Sequence, residues 1–207
     1  MRKRLYLLLR RHSLTGALLL YILAATLNVY FGNVLLPMLF PDRVVIPDIS
    51  FEILPYWNQT HLINDLLQLV FIGAFLYLGY KNKFKKFDKY FLMLAIVYFL
   101  RALTIMMNPV GHSWSIYENR IPNVVNALIL DNNGFFFSGH TAFVTMLSLF
   151  IYDMDKRVGR IAFLLSFVVI VLIMVGRSHY LIDVYGALIT VGFIGYWLRI
   201  LPFKKNY

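Results

Sequence analysis

The sequence predicts an all-α membrane protein, a six-transmembrane-helix bundle with both termini on the cytoplasmic side. Hydrophobic residues make up 60% of the 207 positions and charged residues only 14%, whereas soluble domains are nearer half apolar and a quarter charged. Six apolar stretches of about 20 residues, the length that crosses a bilayer, fit within the chain and leave short loops. The basic residues also gather on one side of these stretches, as cytoplasmic loops do.

The first span runs from about Leu14 to Leu36, and Pro37 and Pro41 mark its exit. It is too long for a signal-peptide core and lacks a clear cleavage site. The next five spans are predicted at about His61–Tyr80, Tyr90–Met107, Phe135–Tyr152, Ile161–Val175 and His179–Leu201. Prolines and acidic residues mark the segment 40–60 as a loop, and a second loop covers 110–133. The predicted organisation is a basic cytoplasmic N-terminus (1–13), a catalytic membrane domain (14–201) and a cytoplasmic tail (202–207).

Charge fixes the predicted topology. With the N-terminus in the cytoplasm, sixteen of the twenty Lys and Arg residues fall on the cytoplasmic face, and the other four are Arg43, Arg101, Arg120 and Arg177. The net charge of +10 is therefore interpreted as a topology signal and an attraction to anionic lipid headgroups. Nucleic acid is not predicted as a partner.

Metal and disulfide chemistry are not predicted. The chain has no cysteine, which excludes a disulfide framework and a thiolate zinc site. No cluster of metal ligands stands out on the outer face, so no cofactor is expected and activity should survive EDTA.

Two polar clusters interrupt the apolar spans, where ionisable residues are costly and usually functional. Ser138-Gly139-His140-Thr141 opens the fourth span, and His179 to Asp183 opens the sixth. Because even-numbered spans begin outside in this topology, both histidines should lie at one depth near the outer surface. The charge count did not use the histidines, so their agreement with it is independent support.

The spacing within these clusters is typical of phosphate chemistry. His179 and Asp183 are four residues apart, on one face of a helix, where a carboxylate fixes the imidazole tautomer and prepares a nucleophile or base. Gly139 allows close approach of an anion, and Ser138, Thr141 and the helix N-terminus supply donors for phosphate oxygens.

Other polar residues are candidates for substrate binding. Arg101, toward the outer end of the third span, is predicted to clamp a phosphate, to pair structurally with Asp65 near the outer end of the second span, or to do both. Arg177 lies at the outer end of the fifth span, and Tyr180 is one of the aromatics that could line a headgroup or acyl pocket.

These motifs resemble the sphingomyelin synthase branch of the phosphatidic acid phosphatase type 2 superfamily. The resemblance rests on Ser138-Gly139-His140-Thr141 and on His179-Tyr180-Leu181-Ile182-Asp183-Val184. Pro47-Asp48, Arg101-Ala102-Leu103-Thr104 and Asn108-Pro109-Val110 are similar to further motifs of that branch, so the resemblance extends from about Pro41 to Gly195.

The resemblance implies a headgroup phosphotransferase. The histidine matching His179 attacks a phospholipid phosphodiester, the aspartate matching Asp183 orients it, and the histidine matching His140 protonates the departing diacylglycerol. A lipid alcohol such as ceramide then takes the headgroup from the phosphohistidine. One departure concerns the headgroup: the family usually has an aspartate where this chain has Gly134.

Two rival functions stay open. Water could resolve the phosphohistidine at the same residues, which would make the chain a lipid phosphatase or phospholipase C-like hydrolase. A lipid carrier or scramblase would spread charged residues along the membrane depth, whereas here they cluster at the outer third. The expected partners are membrane lipids, and the expected location is a bacterial plasma membrane with the site at the outer (periplasmic or lumenal) leaflet. The sequence leaves the donor headgroup, the acceptor and the oligomeric state open.

Overall fold

The computed structural model describes residues 13–57, 60–111 and 134–200. The predicted N-terminal segment before Ser13, the predicted loop beyond Gly111 and the predicted tail 202–207 lie outside these ranges. Over the described ranges the chain is helical and contains no β-strand.

The helices are described here in chain order. They are α1 (Leu14–Leu39), α2 (Ile49–Ile53), α3 (Thr60–Lys81), α4 (Phe87–Met107), α5 (Gly139–Met154), α6 (Lys156–Val175) and α7 (Leu181–Trp197). Within the described part of the chain, α1, α3, α4 and α6 are long and apolar enough to cross a membrane by length and composition. Helices α5 and α7 have 16 and 17 residues, at or below the shortest usual span. A helical membrane protein is therefore confirmed, while six spans and cytoplasmic termini stay predictions.

The structure differs from the predicted boundaries at several helices. Helix α6 begins at Lys156, five residues before the predicted Ile161, because the Asp155 side chain caps it. Helix α1 does not end before Pro37 but continues to Leu39, because a π-helical turn at Phe31–Leu35 shifts the hydrogen-bond ladder just ahead of the proline. Helix α5 begins at Gly139 rather than at Phe135, because the Ser138 side chain caps it. The predicted loop at 40–60 contains the short helix α2.

Aromatic side chains fill the centre of the bundle. Tyr21 of α1 packs against Tyr98 of α4, with ring centroids 5.8 Å apart. Phe150 of α5 stacks on Tyr90 of α4 at 4.4 Å and lies 5.7 Å from Phe75 of α3. These contacts join α1, α3, α4 and α5 into one core.

The bundle has two chemically different ends. At the first, which we call the histidine end, α1 and α4 finish and α3, α5 and α7 begin. At the opposite basic end, Lys86 forms an ion pair of 2.8 Å with Asp153, which also accepts a hydrogen bond from the Tyr90 hydroxyl. The basic runs at 81–89 and 156–160 therefore lie at the end opposite the two histidine motifs. Which membrane face each end meets stays a prediction.

Large apolar side chains cover the outside of the helices. On α6, Leu164 and Phe167 are 66% and 63% exposed. In water such side chains would form a surface prone to aggregation. In contact with lipid acyl chains they expose no apolar area to water. The exposed surface therefore fits a lipid environment.

Three helices end with a basic residue in the left-handed region that usually takes glycine. Lys83, Arg177 and Arg199 follow α3, α6 and α7 with φ of 55°, 50° and 55°. In each case the backbone N–H of the next residue bonds a carbonyl of the last helical turn, as in a Schellman motif. A cation at this position lies close to the negative end of the helix dipole, which offsets part of the backbone strain.

Candidate active site

The two sequence motifs come together at the histidine end. His140 occupies the first turn of α5, and His179 lies two residues before α7. Their ring centroids are 5.9 Å apart and the ring planes meet at 61°, so the two imidazoles are neighbours. His140 is partly exposed, whereas only 6% of His179 is exposed.

Asp183 orients His179 from behind. Its Oδ2 lies 3.4 Å from Nδ1 of His179 and accepts a hydrogen bond of 3.0 Å from the backbone N–H of Tyr180. At 3.4 Å the contact to the imidazole is longer than an ideal hydrogen bond. Because Nδ1 faces the carboxylate, Nε2 is the nitrogen left for chemistry.

Backbone hydrogen bonds fix how the two motifs sit relative to each other. The N–H of Ser138 donates to the carbonyl of Asp183 at 3.0 Å, and the Ser138 hydroxyl accepts from the N–H of Thr141 at 3.2 Å. The first turn of α5 is thus attached to the first turn of α7. The spacing of His140 and His179 therefore depends in part on main-chain contacts.

Arg101 is buried under the segment that leads into α5. Its guanidinium donates three hydrogen bonds of 2.8 Å, from Nε to the Phe137 carbonyl, from Nη1 to Oδ1 of Asn28 and from Nη2 to the Gly134 carbonyl. A Cβ atom on Gly139 would lie 3.1 Å from the Arg101 Cζ, so this glycine makes room for the guanidinium.

For Arg101 the sequence left open a phosphate clamp, a structural pair with Asp65, or both. Asp65 is buried in α3. The three hydrogen bonds of Arg101 give it a third role, holding the loop before His140.

Arg177 ties the turn after α6 to the loop after α1. Its Nη2 donates a hydrogen bond of 2.8 Å to the Phe51 carbonyl, and its Cζ lies 5.6 Å and 5.3 Å from the ring centres of Phe51 and Tyr56. Cation–π contacts of this kind favour a fixed guanidinium. Phosphate binding by Arg177 stays a prediction.

Tyr180 is buried beneath the site. Its hydroxyl donates a hydrogen bond of 2.8 Å to the Gly111 carbonyl, and its ring lies 5.6 Å from that of Phe135 and 5.5 Å from that of Phe51. The ring joins three loops, and a role in lining an acyl pocket stays a prediction.

Asp48 holds the start of α7, a role that sequence reasoning missed. Its Oδ1 accepts hydrogen bonds from the N–H and hydroxyl of Ser50 at 2.8 and 2.6 Å, which caps α2. Its Oδ2 accepts from the N–H of Leu181 at 2.6 Å, two residues after His179. The Asp-x-Ser pattern is a recognisable helix cap, but no local signal points to a partner 133 positions away.

Gly134 explains the departure from the sphingomyelin synthase pattern. A Cβ atom here would lie 2.5 Å from Cδ1 of Ile105, closer than real atoms approach. An aspartate therefore does not fit at this position unless α4 changes as well. In its place the Gly134 carbonyl accepts a hydrogen bond from Arg101.

Metal ligands do not gather in the described ranges. No group of three or more His, Cys, Asp or Glu side chains is positioned there to hold a metal ion. The arrangement that remains is two imidazoles, a supporting carboxylate and the N-terminus of α5, which together can bind and transfer a phosphoryl group.

Two imidazoles and a supporting carboxylate at one end of a helical bundle form a candidate phosphotransfer site. Residues 133–200 match the family described as PAP2 superfamily C-terminal. The match contains His140, His179 and Asp183, and it supports membership of the PAP2 superfamily. Members of this superfamily are phosphatases and phosphotransferases, which indicates an activity of lipid phosphatase or phosphotransferase type. A search of curated proteins found no match.

Proposed function

We propose that this protein is a phospholipid headgroup phosphotransferase of the sphingomyelin synthase type. It moves a phospho-headgroup from a glycerophospholipid to a lipid alcohol through a phosphohistidine. The observation that carries the proposal is the proximity of His140 and His179, whose ring centroids are 5.9 Å apart. Oδ2 of Asp183 lies 3.4 Å from Nδ1 of His179. The PAP2 superfamily match over both histidines supports it.

In the first half-reaction Nε2 of His179 attacks phosphorus. The bond between phosphorus and the diacylglycerol oxygen breaks, and His140 gives that oxygen a proton. In the second, the acceptor hydroxyl gives its proton to His140 and attacks phosphorus, and the phosphorus–nitrogen bond breaks. A histidine suits both steps because its pKa lies near neutrality.

The surroundings of the two rings support different roles. Asp183 and His179 are nearly enclosed, so the carboxylate stabilises positive charge on the ring as the phosphorus–nitrogen bond forms. His140 is more exposed and can exchange its proton with each leaving or entering oxygen. Phosphoryl transfer depends mainly on such positioning and charge stabilisation.

The test uses purified protein and a mixture of labelled phosphatidylcholine, phosphatidylethanolamine and phosphatidylglycerol, with and without ceramide and diacylglycerol. Mass spectrometry identifies the products. A headgroup moved intact to a lipid alcohol supports the proposal and names both substrates. Release of phospho-headgroup or phosphate regardless of acceptor would replace it with a hydrolase.

His179→Ala and Asp183→Asn are the variants that test the site. Each should abolish turnover and leave the protein folded in detergent. Asp183→Asn keeps the size of the side chain, and His179→Ala removes a ring that contacts His140 and Phe135 at the end of the bundle rather than in its core. Thr26→Ala, an exposed change on α1, is the matched control and should keep full activity. Normal turnover by either site variant would remove the histidine–aspartate pair from the mechanism.

A further inference from the structure

The face of α3 that points into the protein changes character along its length. Thr60, Asn64 and Gln68 follow one another at intervals of four residues, so they lie in a row on one face. All three are at least 96% buried. Further along the same face come Phe71 and Phe75, so the row is polar only in the half nearer the histidines.

This row is nearly as long as half of the membrane's hydrocarbon core is thick. Eight residues separate Thr60 from Gln68, which corresponds to about 12 Å along the helix axis. The hydrocarbon layer of one leaflet is roughly 15 Å thick. The row therefore runs from the histidine end most of the way towards the middle of the bundle.

The polar atoms of this row lack partners within the described part of the chain. The hydroxyl of Thr60, Oδ1 of Asn64 and both amide atoms of Gln68 are buried without a hydrogen bond. The buried hydroxyls of Thr141, Thr145 and Ser178, which also belong to the histidine half, share this property. Buried polar groups without partners are rare in proteins, and in lipid their cost is higher still.

The chemistry of the row selects its ligand. Amides and hydroxyls both donate and accept hydrogen bonds, and none of the three residues carries a charge. A phosphate would find no cation among them. A neutral ligand that donates and accepts in equal measure satisfies them, and water is the smallest such ligand.

The row begins beside the turn that leads to His179 and is closed at its other end. Thr60 touches Gly176, three residues before His179. Beyond Gln68 the ring of Phe75 stacks on Phe87 at 4.7 Å and packs against Phe150 at 5.7 Å. Water in the row would therefore exchange through the histidine end and not through the basic end.

We propose that Thr60, Asn64 and Gln68 line a water-binding pocket that extends from the histidine end into the membrane-embedded half of the bundle. The pocket would keep water within reach of His179 even when lipid covers the entrance. This proposal does not depend on which acceptor the enzyme uses, because hydration can be measured without turnover.

The natural absence of cysteine makes a direct test possible. Single variants Asn64→Cys and Gln68→Cys are reconstituted in lipid nanodiscs and treated with a small charged methanethiosulfonate, which reacts with the hydrated thiolate. Leu69→Cys is the matched control, since Leu69 is next to Gln68 at the same depth but is 46% exposed on the outer surface. Phe75→Cys reports the closed end.

The thiols of Asn64→Cys and Gln68→Cys should react about 100-fold faster than those of Leu69→Cys and Phe75→Cys. This factor is expected if apolar surroundings raise the pKa of a thiol by about two. If Gln68→Cys reacts as slowly as Phe75→Cys, the pocket is dry there and the proposal is wrong. Fast labelling at positions 64 and 68 and slow labelling at 69 and 75 would support the hydrated pocket even if no transferase activity were found.

A second measurement does not need cysteine. In a hydrated pocket Gln68→Met removes bound polar contacts, so the thermal unfolding temperature should fall or stay unchanged relative to Leu69→Met. If Gln68 were dry and unpaired, its replacement by an apolar residue of similar shape would relieve the burial cost. A clear rise in unfolding temperature would then overturn the proposal.

Discussion

Replacing Arg101 by lysine separates a structural role from a substrate-binding role. The guanidinium donates three hydrogen bonds of 2.8 Å to acceptors on three sides. A lysine ammonium is a compact donor at the end of a flexible chain, so it can reach one of these acceptors and leaves two unpaired.

The magnitude follows from these lost bonds. Hydrogen bonds to charged groups contribute about 1.5–3 kcal/mol each, so losing two should lower the free energy of unfolding by about 3–6 kcal/mol. Because the Phe137 and Gly134 carbonyls belong to the segment before α5, the loss should also displace His140 and lower kcat. Arg160→Lys on exposed α6 surface is the control, with an expected change within about 0.5 kcal/mol.

The assay is unfolding in mixed micelles of increasing SDS fraction, followed by tryptophan fluorescence, beside steady-state kinetics. Unchanged stability together with a large rise in KM for the phospholipid would refute the reasoning. That result would show that Arg101 binds the substrate phosphate and that its three carbonyl and amide contacts contribute little.

Three further outcomes are expected. His140→Ala should lower turnover of an ordinary phospholipid by about 100-fold or more but affect a nitrophenyl phosphodiester far less, because nitrophenolate leaves without a proton; equal losses on both substrates would exclude His140 as the leaving-group acid. Gly134→Asp should destabilise the protein in thermal unfolding because its Cβ would meet Ile105 at 2.5 Å, and the added change Ile105→Ala should restore part of the loss; no rescue would argue against this clash. Asp48→Asn should lower kcat and the unfolding temperature, and Asp48→Ala should lower both further. The carboxylate accepts hydrogen bonds from both α2 and Leu181, whereas the amide of asparagine keeps one acceptor oxygen and alanine keeps none. Two variants indistinguishable from the unchanged protein would contradict this.

The sequence predicted the helices better than their contacts. Apolar length located α3 and α4 to within three residues at each end, because the need to bury backbone groups in lipid leaves few alternatives to a helix. It did not predict that α1 passes Pro37 and ends at Leu39, because a proline signal says nothing about a π-helical turn just before it. The loop helix α2 was missed for a similar reason, since it is only five residues long.

The site was predictable in its chemistry and not in its supports. His140 and His179 could be placed together because charge distribution and motif order both put them at one end. The partners of Arg101 could not, because backbone carbonyls leave no trace in side-chain identity. The same holds for Asp48, whose bond to Leu181 depends on a fold that brings distant loops together.

The supports of the site also bear on how this protein can be divided. The family match covers 133–200, yet Asn28, Asp48 and Arg101, which hold its loops in place, come from earlier in the chain. A fragment carrying only the matched region would contain the histidines and lack their supports. Two co-expressed pieces, divided between Gly111 and Gly134, would together contain the histidines and their supports. A protein split there is therefore suited to studying assembly of the site.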